Sequence, residues 1–191
     1  MCGLYGFFNY SGQAIKNLSA LTNALAEEAA VRGTDATGIS YVNNGNMVTY
    51  KTPKPAHQVN LYFPKETTAV IGHTRMTTQG SENKNYNNHP FEGRTAESCF
   101  SLAHNGVLYN DKELRVKNNI PETEIETDSY IAVQLLEQNE NVDTDSIKKM
   151  AEAVEGSIAV PKVIQFNAYT KMHPSGCICR LLGAFERMMH R

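Results

Sequence analysis

Met1-Cys2-Gly3-Leu4-Tyr5-Gly6-Phe7-Phe8-Asn9-Tyr10 is the stretch on which the reading of this chain turns. Its apolar and aromatic run, interrupted by Gly3 and Gly6, predicts a buried strand approached closely by other backbone. The terminus is therefore expected inside the fold, with a thiol at its second position. Removal of Met1 would place an α-amine on the same residue as that thiol. An ordinary α-amine, with a pKa of about 7.7–8.0, keeps a substantial neutral fraction near neutral pH and takes up a thiol proton without a histidine. Taken by itself, Cys2 reads equally as a buried cysteine of no chemical role, because free cysteines pack as small apolar side chains. Gly3 leaves room either for a substrate carbonyl or for neighbouring backbone.

Outward from this strand, Leu21, Leu25 and Ala29 recur at helical spacing from Leu18 onward, and Arg32-Gly33 form a C-terminal stop. Residues 39–42 and 47–50 flank Asn43-Asn44-Gly45-Asn46, where Asn-Gly predicts a hairpin because both residues tolerate positive φ. Further strands are expected over 68–73 and 98–104, with a polar loop over 77–90 between them. A helix is expected over 128–137, with Ile131, Leu135 and Leu136 on one face. Another runs through Ile147, Met150, Ala151 and Val154, with Thr144 as its cap. Strands, a helix, more strands and then helices, without regular βαβ alternation, predict a layered α+β fold over a doubly wound parallel sheet.

A length of 191 residues makes a single domain the default. With 41% hydrophobic and 20% charged residues the composition is that of a soluble globular protein, and no apolar run approaches the roughly 18 residues of a membrane helix. No basic leader precedes the opening strand, so secretion is not expected. A formal charge of -2 supplies no general field for nucleic acid or an anionic membrane. Cys2, Cys99, Cys177 and Cys179 are too few and too scattered for a disulfide framework, which fits a reducing cytoplasm. Cys177-Ile178-Cys179 with His173 and His190 lacks the spacing of a zinc pair, so these thiols and Cys99 are read as ordinary free cysteines and no metal or cofactor is expected. Arg180, Arg187 and Arg191 read as a solvated basic end.

Three later words carry chemistry. Gly72-His73-Thr74-Arg75 ends an expected strand, where a fixed guanidinium would clamp a carboxylate through two parallel bonds, with Thr77, Thr78 and Gln79 as further donors. A surface arginine in an ion pair is the plainer alternative. His104-Asn105-Gly106 follows another strand, and an Asn amide beside a Gly N–H would make an oxyanion hole; the same Asn-Gly would also make a turn. Glu126-Thr127-Asp128-Ser129 leads into a helix, so Asp128 is either an acceptor for an ammonium group or a helix cap. Arg75 and Asp128 together match the two charges of an amino acid.

In this order, and starting at residue 2, these words resemble the class II glutamine amidotransferases, whose domains are N-terminal nucleophile hydrolases. The similar segments are Met1-Cys2-Gly3-Leu4-Tyr5-Gly6, Arg32-Gly33-Thr34-Asp35-Ala36-Thr37-Gly38, Gly72-His73-Thr74-Arg75, Asn87-Asn88-His89-Pro90-Phe91, Ala103-His104-Asn105-Gly106 and Glu126-Thr127-Asp128. They cover roughly residues 1–157 of a single domain, 1–191, whose tail, 158–191, departs from the family. The resemblance implies a four-layer αββα sandwich with the nucleophile opening a central strand and with an atypical C-terminal end.

It further implies that Cys2 attacks the glutamine side-chain amide, that Asn105 and Gly106 stabilise the oxyanion, and that water releases glutamate from a thioester after ammonia has left. Arg75 would hold the substrate α-carboxylate and Asp128 its α-ammonium group, with Thr77 and Thr78 beside them and Arg32, Gly33 and His104 in support. Met76 stands where the family often has an aromatic residue and Gln79 where some members have His, which bears on substrate closure. The expected partners are glutamine and, unless the enzyme is free-standing, a synthase or other unidentified acceptor that receives the ammonia. Two other functions stay open: a non-catalytic module that binds glutamine or regulates a partner, and an N-terminal cysteine amidohydrolase of other amides. The pairing of Arg75 with Asp128 argues against the latter.

Overall fold

The computed structural model describes residues 1–159 except Tyr10, Gly12 and Asn44, together with the backbone of 163–167 and 180–182. It divides into two compact units, Met1–Pro90 and Phe91–Arg191.

In the first unit, β1 (Gly3–Phe8), α1 (Leu18–Ala30), β2 (Ala36–Asn43), β3 (Asn46–Thr52) and β4 (Ala69–Arg75) follow in chain order. The strands form an antiparallel sheet ordered β1-β4-β2-β3. The opening strand forms as expected but is shorter, and it is less enclosed than its apolar run suggests. Gly3 and Tyr5 are buried while Gly6 is exposed. Among the described strands β1 lies at the sheet edge rather than at its centre, paired to β4 from Gly3↔Thr74 to Phe8↔Ala69. The central position belongs to β4, all seven residues of which are buried.

The helix after β1 also forms; of its expected face Leu18 is buried and Leu25 and Ala29 pack partly buried against the core, while Leu21 does not. Leu18, Thr22, Ala26 and Ala30 are buried, whereas Leu21 is 44% exposed. Small residues win this face because the helix backbone comes very close to the sheet. The Ala29 carbonyl accepts Thr74 Oγ1 at 2.8 Å, and a Cβ on Gly3 would overlap that same oxygen. Thr22 is tolerated there because its hydroxyl donates to Leu18 O at 2.9 Å. The expected hairpin is present, β2 and β3 closing at the Asn43↔Asn46 pair. Tyr5, Ala26, Ala30, Ile39, Ala56 and Leu61 make the core of this unit.

The second unit contains β5 (Phe91–Arg94), β6 (Ser98–Leu102), β7 (Asn105–Leu108), α2 (Asp111–Lys117), α3 (Tyr130–Glu137), α4 (Thr144–Ala153), β8 (Gly156–Ala159), β9 (Val163–Asn167) and β10 (Arg180–Leu182). One sheet runs β10-β9-β6-β5 and a separate ribbon pairs β7 with β8. Phe91, Phe100, Leu102, Ile131, Leu136 and Val142 are almost wholly buried in its core. Of these elements β5, β7, α2, β8, β9 and β10 were not expected. Asn105-Gly106 lies within a strand, so the turn reading is overturned: Asn105 and Gly106 pair with Ala159 and Ile158 across the ribbon. Part of the C-terminal tail is sheet, since β9 pairs with β6. Cys177, Cys179, His173, His190, Arg187 and Arg191 lie outside the described residues, as does the side chain of Arg180.

The cap of α4 is Asp143, not Thr144, which is the first helical residue. Ser146 N–H donates to Asp143 Oδ1 at 2.8 Å and Asp143 N–H donates to Ser146 Oγ at 2.9 Å, a reciprocal capping box. Asp143→Ala is expected to cost about 1 kcal/mol, read by urea unfolding at pH 7. The Ser146 backbone N–H holds the Asp143 carboxyl below its ordinary 3.8. A depressed carboxyl stabilises the fold above its unfolded value and loses that contribution as pH falls through the folded one. The gap between parent and variant should therefore shrink in strong acid.

Among the described residues no helix is long and apolar enough to cross a membrane, and no group of three or more His, Cys, Asp or Glu side chains could hold a metal ion.

Candidate active site

In the first unit the segment just after β4 cradles the thiol. Cys2 Sγ donates to Met76 O at 3.6 Å and accepts Met76 N–H at 3.4 Å. Burial pushes the Cys2 thiol above its ordinary 9.0; the Met76 N–H, the terminal ammonium and Arg75 oppose that rise, and Asp35 adds to it. With Met1 in place, the terminal ammonium lies 2.9 Å from Met76 Sδ.

The turn after α1 fixes this cradle. Arg32 Nε donates to Cys2 O at 3.0 Å. Asp35 N–H donates to Arg75 O at 2.9 Å, and the Asp35 carboxylate accepts Thr77 N–H at 2.6 Å. Gly33 permits the approach: a Cβ there would stand 2.6 Å from Arg75 O and 2.7 Å from Met76 N. Arg32 and Gly33 thus hold the backbone on either side of the thiol. Asp35 does as much, although within its segment no role of its own was expected of it.

Arg75 is only 3% exposed, which removes the surface ion-pair reading. Its Nη1 donates to Asn88 Oδ1 at 2.6 Å, and its Nη2 donates to Gln79 O at 2.5 Å and Gly80 O at 3.1 Å. These three oxygens are neutral and fix the orientation of the fork. Asn88 is held in turn by the Glu82 carbonyl at 2.7 Å. The next residue, His89, stacks its ring on buried His73 with centroids 4.3 Å apart. The Asn87-Asn88-His89-Pro90 word is therefore a brace for Arg75 and the end of β4. Thr77 is partly buried and Thr78 exposed.

In the second unit, His104 is 2% exposed, with Nδ1 2.8 Å from Ser129 Oγ and Nε2 3.2 Å from Ser157 O. Burial pushes its pKa below the ordinary 6.5, against the pull of the Ser157 carbonyl and Asp128. Gly106 packs so closely that a Cβ would overlap Ser157 O and lie 2.7 Å from His104 Nε2. Asp128 is not a side-chain cap of α3: its Oδ2 accepts Leu108 N–H at 2.6 Å, and it is 6% exposed. Val107 N–H donates to Ser157 Oγ at 3.1 Å. Asn105 is half-buried on β7.

Within Met1–Pro90, then, Cys2, Arg32, Gly33, Arg75 and Thr77 form one connected cluster with Asp35, Met76 and Asn88. Within Phe91–Arg191, His104, Gly106 and Asp128 form a second with Ser129 and Ser157. The first holds a thiol against a backbone amide near a buried guanidinium; the second presents an Asn-Gly strand pinned by a buried His and Asp.

The family model for class-II glutamine amidotransferases matches residues 1–161. A glutamine–fructose-6-phosphate aminotransferase (isomerizing) of Staphylococcus aureus is 32% identical over 171 residues, covering 84% of this chain and 26% of its own length. The enzyme of the same name from Staphylococcus epidermidis is 30% identical over 167 residues, with the same coverages. The chain thus spans about a quarter of the length of these curated relatives. Among solved structures, the allosteric regulatory enzyme of purine biosynthesis is similar with a TM-score of 0.68 at 19% identity, over 87% of this chain and 37% of that one. Glutamine phosphoribosylpyrophosphate amidotransferase from B. subtilis gives a TM-score of 0.65 at 18% identity, with the same coverages. These structural likenesses bear out the expected fold class, the α+β fold of the N-terminal nucleophile hydrolases.

Proposed function

This chain belongs to the class-II glutamine amidotransferases, and from that premise we propose that it hydrolyses the side-chain amide of glutamine to glutamate and ammonia, with Cys2 as the nucleophile. The single observation that carries the reading is the seat of the thiol. Cys2 Sγ is held by the backbone of Met76, one residue beyond the buried guanidinium of Arg75. In the proposed reaction Cys2 Sγ attacks the amide carbon, and its proton passes by way of the α-amine freed by Met1 removal to the leaving nitrogen, which departs as ammonia. Water then cleaves the γ-glutamyl thioester and restores the thiol. Asn105 and Gly106 take the oxyanion role, Arg75 the substrate carboxylate and Asp128 its ammonium group. Thr77 and Thr78 are assigned to substrate binding, and Arg32, Gly33 and His104 to support.

The choice of glutamine is supported by what the relatives' names have in common. They name glutamine with different second substrates, fructose 6-phosphate or phosphoribosylpyrophosphate, and the chain matches only 26% or 37% of each length. Residues 1–191 are read as one amidotransferase domain that delivers ammonia to a synthase partner, in the cytoplasm. Intact-mass spectrometry before and after treatment with an electrophilic glutamine analogue tests the reading. Loss of the mass of Met1 and addition of one label, both mapping to the peptide that begins at Cys2, are expected. Retained Met1 with glutamine turnover, or a label elsewhere, sinks the mechanism.

A further inference from the structure

The strand that bears Asn105 and Gly106 is fastened at both ends by residues 20 to 53 positions away in sequence. Val107 N–H is taken by Ser157 Oγ and Leu108 N–H by Asp128 Oδ2. At the other end the His104 ring lies between Ser129 Oγ and Ser157 O. A carbonyl only accepts, so His104 Nε2 carries the proton and Nδ1 is the acceptor. The single proton of Ser129 Oγ then goes to Nδ1, and Asp128 Oδ1, 3.4 Å from Ser129 Oγ, takes second place for it. The plane of the ring matters because Gly106 is seated on it: His104 Nε2 and Ser157 O occupy the space that a Gly106 Cβ would take. Burial keeps the ring neutral, which holds this donor pattern near neutral pH.

We propose that Ser129 is a positioning residue for amide hydrolysis: its hydroxyl sets the tautomer and plane of His104, the ring against which Gly106 packs, and so aims the Asn105 and Gly106 donors at the developing oxyanion. The inference rests on the reading of Asn105 and Gly106 as that donor pair. Its energetic basis is that oxyanion donors act through preorganisation, so misaiming by a fraction of an ångström lowers turnover while leaving the ground-state amide bound much as before.

The test is steady-state glutamine hydrolysis by the full chain as Ser129→Ala, Ser129→Thr and Asn105→Ala. Ser129→Ala should lower kcat about 10- to 100-fold, with KM within about twofold of the parent. Ser129→Thr keeps the hydroxyl and should return kcat to within about threefold. Nitrogen-15 imidazole spectra of the parent should show the Nε2–H tautomer of His104, a reading that needs no variant to fold. Parent-like kcat in Ser129→Ala beside a large loss in Asn105→Ala overturns this inference alone; a harmless Asn105→Ala overturns the underlying reading. An Nδ1–H tautomer in the parent, a KM effect without a kcat effect, or failure of Ser129→Thr to restore kcat also overturns the proposal.

Discussion

Cys2→Ala is expected to abolish glutamine hydrolysis, with kcat falling about ten-thousand-fold or more, because the methyl group left at position 2 cannot form the thioester. The loss should be almost purely chemical. Cys2 is half-buried, and its bonds to Met76 are long sulfur contacts at 3.4 and 3.6 Å. Removing one sulfur should change stability by no more than about 1 kcal/mol, so thermal melts of parent and variant should nearly coincide. Glutamine should still bind to Cys2→Ala, since Arg75 and Asp128 are untouched. Equal turnover by the two proteins would sink the mechanism.

The pH profile of the parent separates the role of the thiol from that of its base. Burial raises the Cys2 pKa above 9.0, which favours the neutral thiol, so the thiolate fraction near pH 7 is smaller than for a free cysteine. A self-ionised nucleophile would give a rate that climbs steadily through neutral pH and is still climbing at pH 9. An α-amine on Cys2 instead predicts that kcat/KM rises with pH through about 7.7–8.0 and then levels. In a chain that keeps Met1 this limb should vanish, while direct alkylation of Cys2 by iodoacetamide should still climb above pH 9.

What could be read from residues alone depended on whether a side chain acts through its own chemistry or through distant backbone. Cys2, Arg75, Asn105 and Asp128 stand out because thiol, guanidinium, amide and carboxylate in that order imply a substrate. Asp35, Asn88, Ser129 and Ser157 do not: each serves a backbone amide or another side chain, from Asn88 on Arg75, 13 residues away, to Ser157 beneath Val107, 50 residues away. Nothing local announces such partners. Asp128 was read as a cap or an ammonium site, yet its visible partner is the Leu108 amide, again across the chain.

The fold shows the same division. The β2–β3 hairpin was legible because the sequence signal is local, with Gly45 at φ 75° between the strands. The Asn-Gly of β7 misled, because there the strand is imposed by pairing with β8, about 50 residues later, and by the close seat of Gly106 on His104. Helix α2 buries only Leu114 and leaves no period to count. In α1 Leu18, Leu25 and Ala29 meet the core as their spacing implies, but the buried line also takes in Thr22, Ala26 and Ala30, which the leucines did not mark, since an intimate helix–sheet approach selects for smallness over hydrophobicity.

Gly33→Ala should have the second largest effect, and it reaches the nucleophile without touching it. The added methyl would stand 2.6 Å from Arg75 O and 2.7 Å from Met76 N, distances that real Cβ atoms do not tolerate. Neither atom can give way cheaply. Arg75 O is bonded to Asp35 N–H at 2.9 Å, Met76 N–H to Cys2 Sγ at 3.4 Å, and Thr77 N–H to Asp35 Oδ2 at 2.6 Å. The turn over 32–35 must therefore lift away from the end of β4, taking Arg32 from Cys2 O and Met76 from the thiol. Overpacking of this kind costs about 2 to 3 kcal/mol, and displacing the nucleophile by about 1 Å should lower kcat/KM by about 100-fold or more. Thr34→Ala is the control: Thr34 is the exposed neighbour of Gly33, and its loss should change stability by less than about 0.5 kcal/mol. Urea unfolding and glutamine hydrolysis on the three proteins decide the matter. A Gly33→Ala chain as stable and as active as the parent would mean that the turn does not hold the thiol in place.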